Sequence, residues 1–147
     1  MPEMSILQPV VFLAAWTMVM WLWMYATRFP AMSAAKVEPD KLASDPETTL
    51  DRLLPPKVQW KAHNYNHLHE APTVFYAVAI VLFLTGEGDG RTAILGWAYV
   101  ALRIIHSLVQ ATINKVVIRF AFFALSSIVL MALVALAARA VFLGGTA

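Results

Sequence analysis

The chain contains no cysteine. That excludes a disulfide framework, a thiolate metal site and a cysteine nucleophile. Any thiol chemistry therefore needs a thiol brought by a substrate or cofactor. Charge is also scarce. Only 14% of the 147 residues are Asp, Glu, Lys or Arg, and the formal net charge is +2. So small a balance, with its basic residues spread along loops, gives no reason to expect a nucleic-acid partner. There is no internal repeat and no low-complexity tract. No Lys or Arg precedes the first apolar run, which is too long for the core of a signal peptide. A retained membrane anchor is expected there.

What is abundant is apolar surface. The hydrophobic fraction is 60% and the mean hydropathy +0.66, against roughly 45–50% apolar residues in soluble domains. The expected fold is a single all-α membrane domain, a bundle of four transmembrane helices over about 7–28, 56–84, 92–112 and 117–142. The first span ends at Arg28, and Trp16, Trp21, Trp23 and Tyr25 are candidates for an interfacial aromatic belt. Residues 29–56 form the long polar connection, with a short helix expected over Pro46–Leu53. The second helix would be about 40 Å long, more than a hydrocarbon core of about 30 Å. Its polar first half should therefore reach the headgroups or line a wet cavity, and a kink is expected at Pro72. Gly86-Glu87-Gly88-Asp89-Gly90 marks a tight turn before the third span.

Basic residues set the expected orientation. Arg28, Lys36, Lys41, Arg52, Lys57 and Lys61 flank or occupy the first connection, and Lys115 and Arg119 the third. The opposite side holds Arg91 and Arg139. The first and third connections are expected in the cytoplasm, with both termini outside, as in a multi-pass protein of a bacterial inner membrane.

The residues that carry chemistry lie at the start of the second helix. His63, Asn66, His67 and Glu70 fall at i, i+3, i+4 and i+7, which places them on one helical face. Ionisable groups within a membrane segment are a functional-site hypothesis by default, weighed against interhelical polar glue. Arg103, His106 and Gln110 share a face of the third span in the same way. An arginine that deep needs a partner, and Glu70 is the expected one. With Arg28 and Arg119 these groups would form a basic, amide-rich pocket, suited to a small anionic molecule meeting an apolar one. His63, His67 and Glu70 also have spacing that can ligate a metal. The surrounding histidines are too few for a di-iron membrane enzyme, so no metal site is assigned.

Asn66-His67-Leu68-His69-Glu70-Ala71-Pro72, then Arg103-Ile104-Ile105-His106, then Arg119, resemble the helix-two, helix-three and helix-four signatures of the MAPEG family, the membrane-associated proteins in eicosanoid and glutathione metabolism. The resemblance covers nearly the whole chain. It implies a homotrimer of four-helix protomers that binds glutathione near the cytoplasmic side. It places glutathione contacts on Arg28, Asn66, Glu70, His106 and Arg119, with His67 and Arg103 beside them, and thiol activation on Arg119. A guanidinium beside a thiol favours the thiolate, which is the nucleophile. Where several family enzymes carry a tyrosine, this chain has Gln110 and Phe123. The implied function is a glutathione-dependent transferase or peroxidase acting on lipophilic electrophiles from the bilayer. The alternative is a non-catalytic membrane protein of the same fold that binds lipid or an anionic metabolite. Whether the chain is an enzyme stays open at this point.

Overall fold

A computed structural model describes residues 5–144. The helices in chain order are α1 (Leu7–Ala34), α2 (Pro39–Ser44), α3 (Leu50–Leu53), α4 (Pro56–His67), α5 (Ala71–Leu84), α6 (Arg91–Thr112) and α7 (Val116–Leu143). Among the described residues there is no strand, only an isolated bridge between Ser5 and Asp89. Four segments are long and apolar enough to cross a membrane: α1, α4 with α5, α6 and α7. The protein is an all-α, multi-pass membrane protein.

The central element is α6. In its apolar stretch 44% of residues are buried, twice the 22% of α1 and α7. The buried positions Gly96, Tyr99, Val100, Arg103, His106, Ser107, Gln110 and Ala111 follow the three-and-four spacing of one helical face. The face is apolar toward the α5–α6 turn and polar toward the α6–α7 turn. Phe75 stacks on Tyr99 at 4.6 Å in the apolar half, with Leu13, Met20, Leu82 and Leu133 packed around them. Gly96 lets α1 approach, since a Cβ there would stand 3.0 Å from Pro9 Cγ. The outer faces present exposed side chains such as Val19, Ile80, Ile128 and Met131. In water these would be a large apolar patch; in a bilayer, lipid tails cover them.

Several local expectations change. The first helix does not stop near Arg28 but runs through Pro30 to Ala34. Pro46–Leu53 is not a helix. The Asp45 carboxylate instead accepts hydrogen bonds from the Glu47 N–H at 3.0 Å and the Thr48 hydroxyl at 2.6 Å. Those bonds make a turn that competes with helix, and only Leu50–Leu53 winds up. They hold Asp45 below its ordinary carboxylate range, Thr48 having the larger effect. Trp16 turns inward, and its Nε1–H donates to Ser107 Oγ at 3.0 Å.

The second span is broken, not merely kinked. α4 ends at His67 and α5 begins at Ala71. Pro72 sits in the first turn of α5. It has no N–H to offer the Leu68 carbonyl, and its ring crowds that oxygen. The disruption therefore falls one turn before the proline. Leu68-His69-Glu70 close with short-range bonds, His69 N to the Asn66 carbonyl at 3.0 Å and Glu70 N to the His67 carbonyl at 3.3 Å.

At the opposite end the turn after α5 meets the beginning of α1. Ile6 N donates to the Gly88 carbonyl at 2.7 Å. A side chain on residue 88 would put its Cβ 2.9 Å from Phe83 Cα, so this clasp requires glycine. Arg139 of α7 reaches Glu87 at 3.9 Å on the same end.

Candidate functional site

The break in the second span builds the site. His67 is the last residue of α4 and Glu70 precedes α5. The three-residue offset brings the Glu70 carboxylate back onto the ring, where it accepts a short hydrogen bond from His67 Nδ1. The His67 ring is stacked against Phe123 of α7 at 5.8 Å and tilted against His106 of α6 at 5.1 Å. Its orientation is therefore fixed by three separate segments.

Arg103 does not pair with Glu70 as its position in the sequence leads one to expect. Its Nη2 donates to the His67 carbonyl at 3.3 Å. That carbonyl, the last of α4, also accepts from Glu70 N at 3.3 Å and has a second lone pair for the guanidinium, which presents several donors in a rigid fork. Arg103 is 1% exposed. Its Nε and Nη1 have no partner among the described residues. Buried this way, Arg103 lies behind the break and holds it, rather than facing the open recess.

His106 links two helices. Its Nδ1 lies 2.7 Å from the Arg119 carbonyl, and its Nε2 lies 3.1 Å from Gln110 Oε1. The backbone carbonyl can only accept, so Nδ1 carries the proton, and a neutral ring then accepts at Nε2 from the Gln110 amide turned to present its NH₂. Arg119 turns its side chain the other way, and its Nη1 donates to Asn114 Oδ1 at 2.7 Å. Asn114 supplies the turn between α6 and α7 with φ of 47°, a conformation that asparagine tolerates better than most residues.

Together these groups enclose a recess of about 350 Å³ lined by His63, His67, Glu70, His106, Gln110, Arg119 and an apolar wall of Val116, Phe120 and Phe123. A second recess of about 340 Å³ shares His63 and Arg119 with the first and continues to Asp51, Gln59, Trp60 and Asn114. Each falls in the range of about 300–1,000 Å³ usual for small-molecule sites. One wall is aromatic and lies beside an exposed helix face. The other presents guanidinium, imidazole, amide and carboxylate groups.

The sequence candidates divide in three. His67, Glu70, His106 and Arg119 come together in the first recess. Arg28 reaches it only by relay: its Nη2 donates to Gln59 Oε1 at 3.4 Å, Gln59 Nε2 donates to Asp51 Oδ1 at 2.7 Å, and the same oxygen lies 2.8 Å from His63 Nε2. Asn66 is exposed and lines neither recess. The amide that turns inward is Asn64, buried and donating to Ser107 Oγ. Of the three residues with metal-ligand spacing, His63 is held by Asp51, while His67 and Glu70 are bonded to each other. Among the described residues no group of three such side chains converges on one point.

Asp51 and Gln59 are the site residues that sequence reasoning missed. Asp51 sits in a four-residue helix of the long connection, and nothing in its neighbourhood marks it as different from the other loop carboxylates. Its carboxyl is held below the ordinary range, first by the Gln59 amide and then by His63 and Arg28. A depressed carboxylate stabilises the fold above its unfolded pKa of about 3.9 and loses that contribution as pH falls through the folded value. Asp51→Asn should therefore lower the unfolding temperature in detergent at neutral pH. The difference from wild type should shrink below about pH 4. A difference that persists unchanged into acid would show that the Asp51 charge is not the stabilising element.

The sequence model of the MAPEG family matches residues 6–139. The chain belongs to the MAPEG family. No curated protein and no solved structure matches it. The matched region takes in both recesses, the first three spans and all but the last four residues of the fourth. Gln110 and Phe123 both line the first recess.

Proposed function

We propose that this protein is a membrane-bound glutathione-dependent transferase, with peroxidase activity on lipid hydroperoxides as a related outcome. The observation that carries the reading is the meeting of Arg119, His106, His67 and Glu70 with the Phe120–Phe123 wall in one recess. Glutathione has two carboxylates, one ammonium and a thiol. Arg119 offers fixed positive charge to a carboxylate or to the thiolate. Glu70 has one oxygen committed to His67 and the other free for the ammonium. Gln110 and Asn114 supply amide hydrogen-bonding groups. The adjoining recess toward Asp51, Gln59 and Trp60 gives the tripeptide room to extend. The aromatic wall is where an electrophile arriving from the bilayer would lie. The excess of basic residues near the recess supports a cytoplasmic position for this end of the bundle, where glutathione is dissolved. A homotrimer, the assembly of the family, would add residues of neighbouring protomers to the exposed side, where Asn66 lies.

A ligand that binds only the folded state raises its stability by mass action. Glutathione at about 100 times its Kd should stabilise the protein in detergent by about 2.7 kcal/mol, and the S-methyl conjugate by a comparable amount. A melting temperature unmoved by either would remove glutathione from the account.

Gln110 and Phe123 in the recess favour a second reading. Lacking the tyrosine hydroxyls of the eicosanoid enzymes, the site would bind an anionic lipid headgroup without turnover. Stabilisation by phospholipid but not by glutathione, with no conjugation of standard electrophiles, would select it.

A further inference from the structure

The geometry points to the His67–Glu70 pair as a general-base dyad that takes the thiol proton in the first recess. This rests on the glutathione reading and gives it a proton acceptor, a role that Arg119 alone does not fill. Glu70 Oε2 accepts from His67 Nδ1. A carboxylate on Nδ1 fixes the tautomer in which Nε2 carries the lone pair, and it stabilises the imidazolium that forms when Nε2 takes a proton. Among the described residues Nε2 has no protein hydrogen-bond partner, and it is not enclosed. The ring lines the recess that Arg119 also lines. Phe123 and His106 hold its plane. Residues three apart are neighbours on a helix surface, and the pair forms where α4 ends and the backbone at residue 70 turns irregular.

The step balances within the recess. The S–H bond of glutathione breaks and its proton passes to His67 Nε2, leaving thiolate opposite the Arg119 guanidinium. The sulfur pair then forms the C–S bond to the β-carbon of a lipophilic enone, and the displaced π pair becomes an enolate. The imidazolium returns its proton to the α-carbon, so no external acid or base is consumed.

The charged and titratable groups around the ring are Glu70 beside it, His106 and Arg103 from α6, Arg119 from α7 and His63 one turn earlier on α4. A pH profile alone therefore mixes several groups, and the decisive readout is where the proton goes. The experiment combines thiolate ultraviolet absorbance with a pH indicator in weak buffer, as glutathione is mixed with detergent-solubilised wild type, His67→Asn and Glu70→Gln. Wild type should form thiolate while releasing little proton, since His67 keeps it. His67→Asn should form thiolate only at higher pH, release one proton for each thiolate, and lose about 100- to 10,000-fold in kcat/KM for an enone. Glu70→Gln keeps an acceptor for Nδ1 at an exposed position and should shift the thiolate profile in the same direction, by less. If His67→Asn does not fold, Glu70→Gln still decides. Stoichiometric proton release by wild type, or thiolate profiles unmoved in the variants that fold, overturns the dyad and leaves the glutathione reading standing. Failure of wild type to bind glutathione overturns both.

Discussion

Arg119→Ala is expected to abolish most thiolate formation and conjugation while leaving the bundle intact. The fixed donor facing a developing anion is worth about 100- to 1,000-fold in rate when removed. The fold should tolerate the change because the structural bond at this residue is made by its backbone: the Arg119 carbonyl accepts from His106 Nδ1 at 2.7 Å whatever the side chain. What the variant loses is the bond from Nη1 to Asn114 and the charge shared by the two recesses. Arg119→Lys keeps the charge without the planar fork and should fall between the two. The measurement is thiolate absorbance and enone conjugation at matched helical content. Full activity in a folded Arg119→Ala protein would place thiol activation elsewhere in the recess.

The second large effect is on stability. Ser107 is completely buried on α6, and its hydroxyl accepts from Trp16 Nε1 of α1 and from Asn64 Nδ2 of α4. One oxygen thus ties three elements together below the functional recess. Ser107→Ala strands two donors in a region where water does not compensate them. The loss should be about 1–3 kcal/mol, toward the upper part of the range for interhelical hydrogen bonds in membranes. Ser127→Ala is the matched control, because Ser127 bonds only the Phe123 carbonyl on its own helix at 2.8 Å. It should stay within about 0.5 kcal/mol of wild type. Equal unfolding midpoints for the two variants in detergent would mean that the Ser107 node contributes nothing beyond packing.

Both effects depend on α6, and the two ends of that helix explain how much of the site was legible. Arg103, His106 and Gln110 stand out in sequence because polar groups are expensive in an apolar segment, and their spacing puts them on one face. The structure buries all three on that face. The identity of their partners was not legible. Glu70 looks like the counter-charge for Arg103, yet the arginine takes the His67 carbonyl. That carbonyl, the last of α4, accepts from Glu70 N as well, and only the packing of α6 against the end of α4 brings Arg103 to it. Likewise Asn66 and Asn64 differ by two positions in an amide-rich run, and only packing against Ser107 decides that Asn64 turns inward.

The linear chain determined the four membrane-crossing segments, the family and the residue types of the site, because the period of apolar residues and the expense of polar ones in lipid are local properties. Tertiary structure alone decided which of those polar groups meet. A hydrogen bond between elements depends on how those elements pack: Asp51 of α3 reaches His63 of α4, and Asn64 of α4 reaches Ser107 of α6. No periodicity encodes either contact, since each is fixed by where a neighbouring helix leaves room.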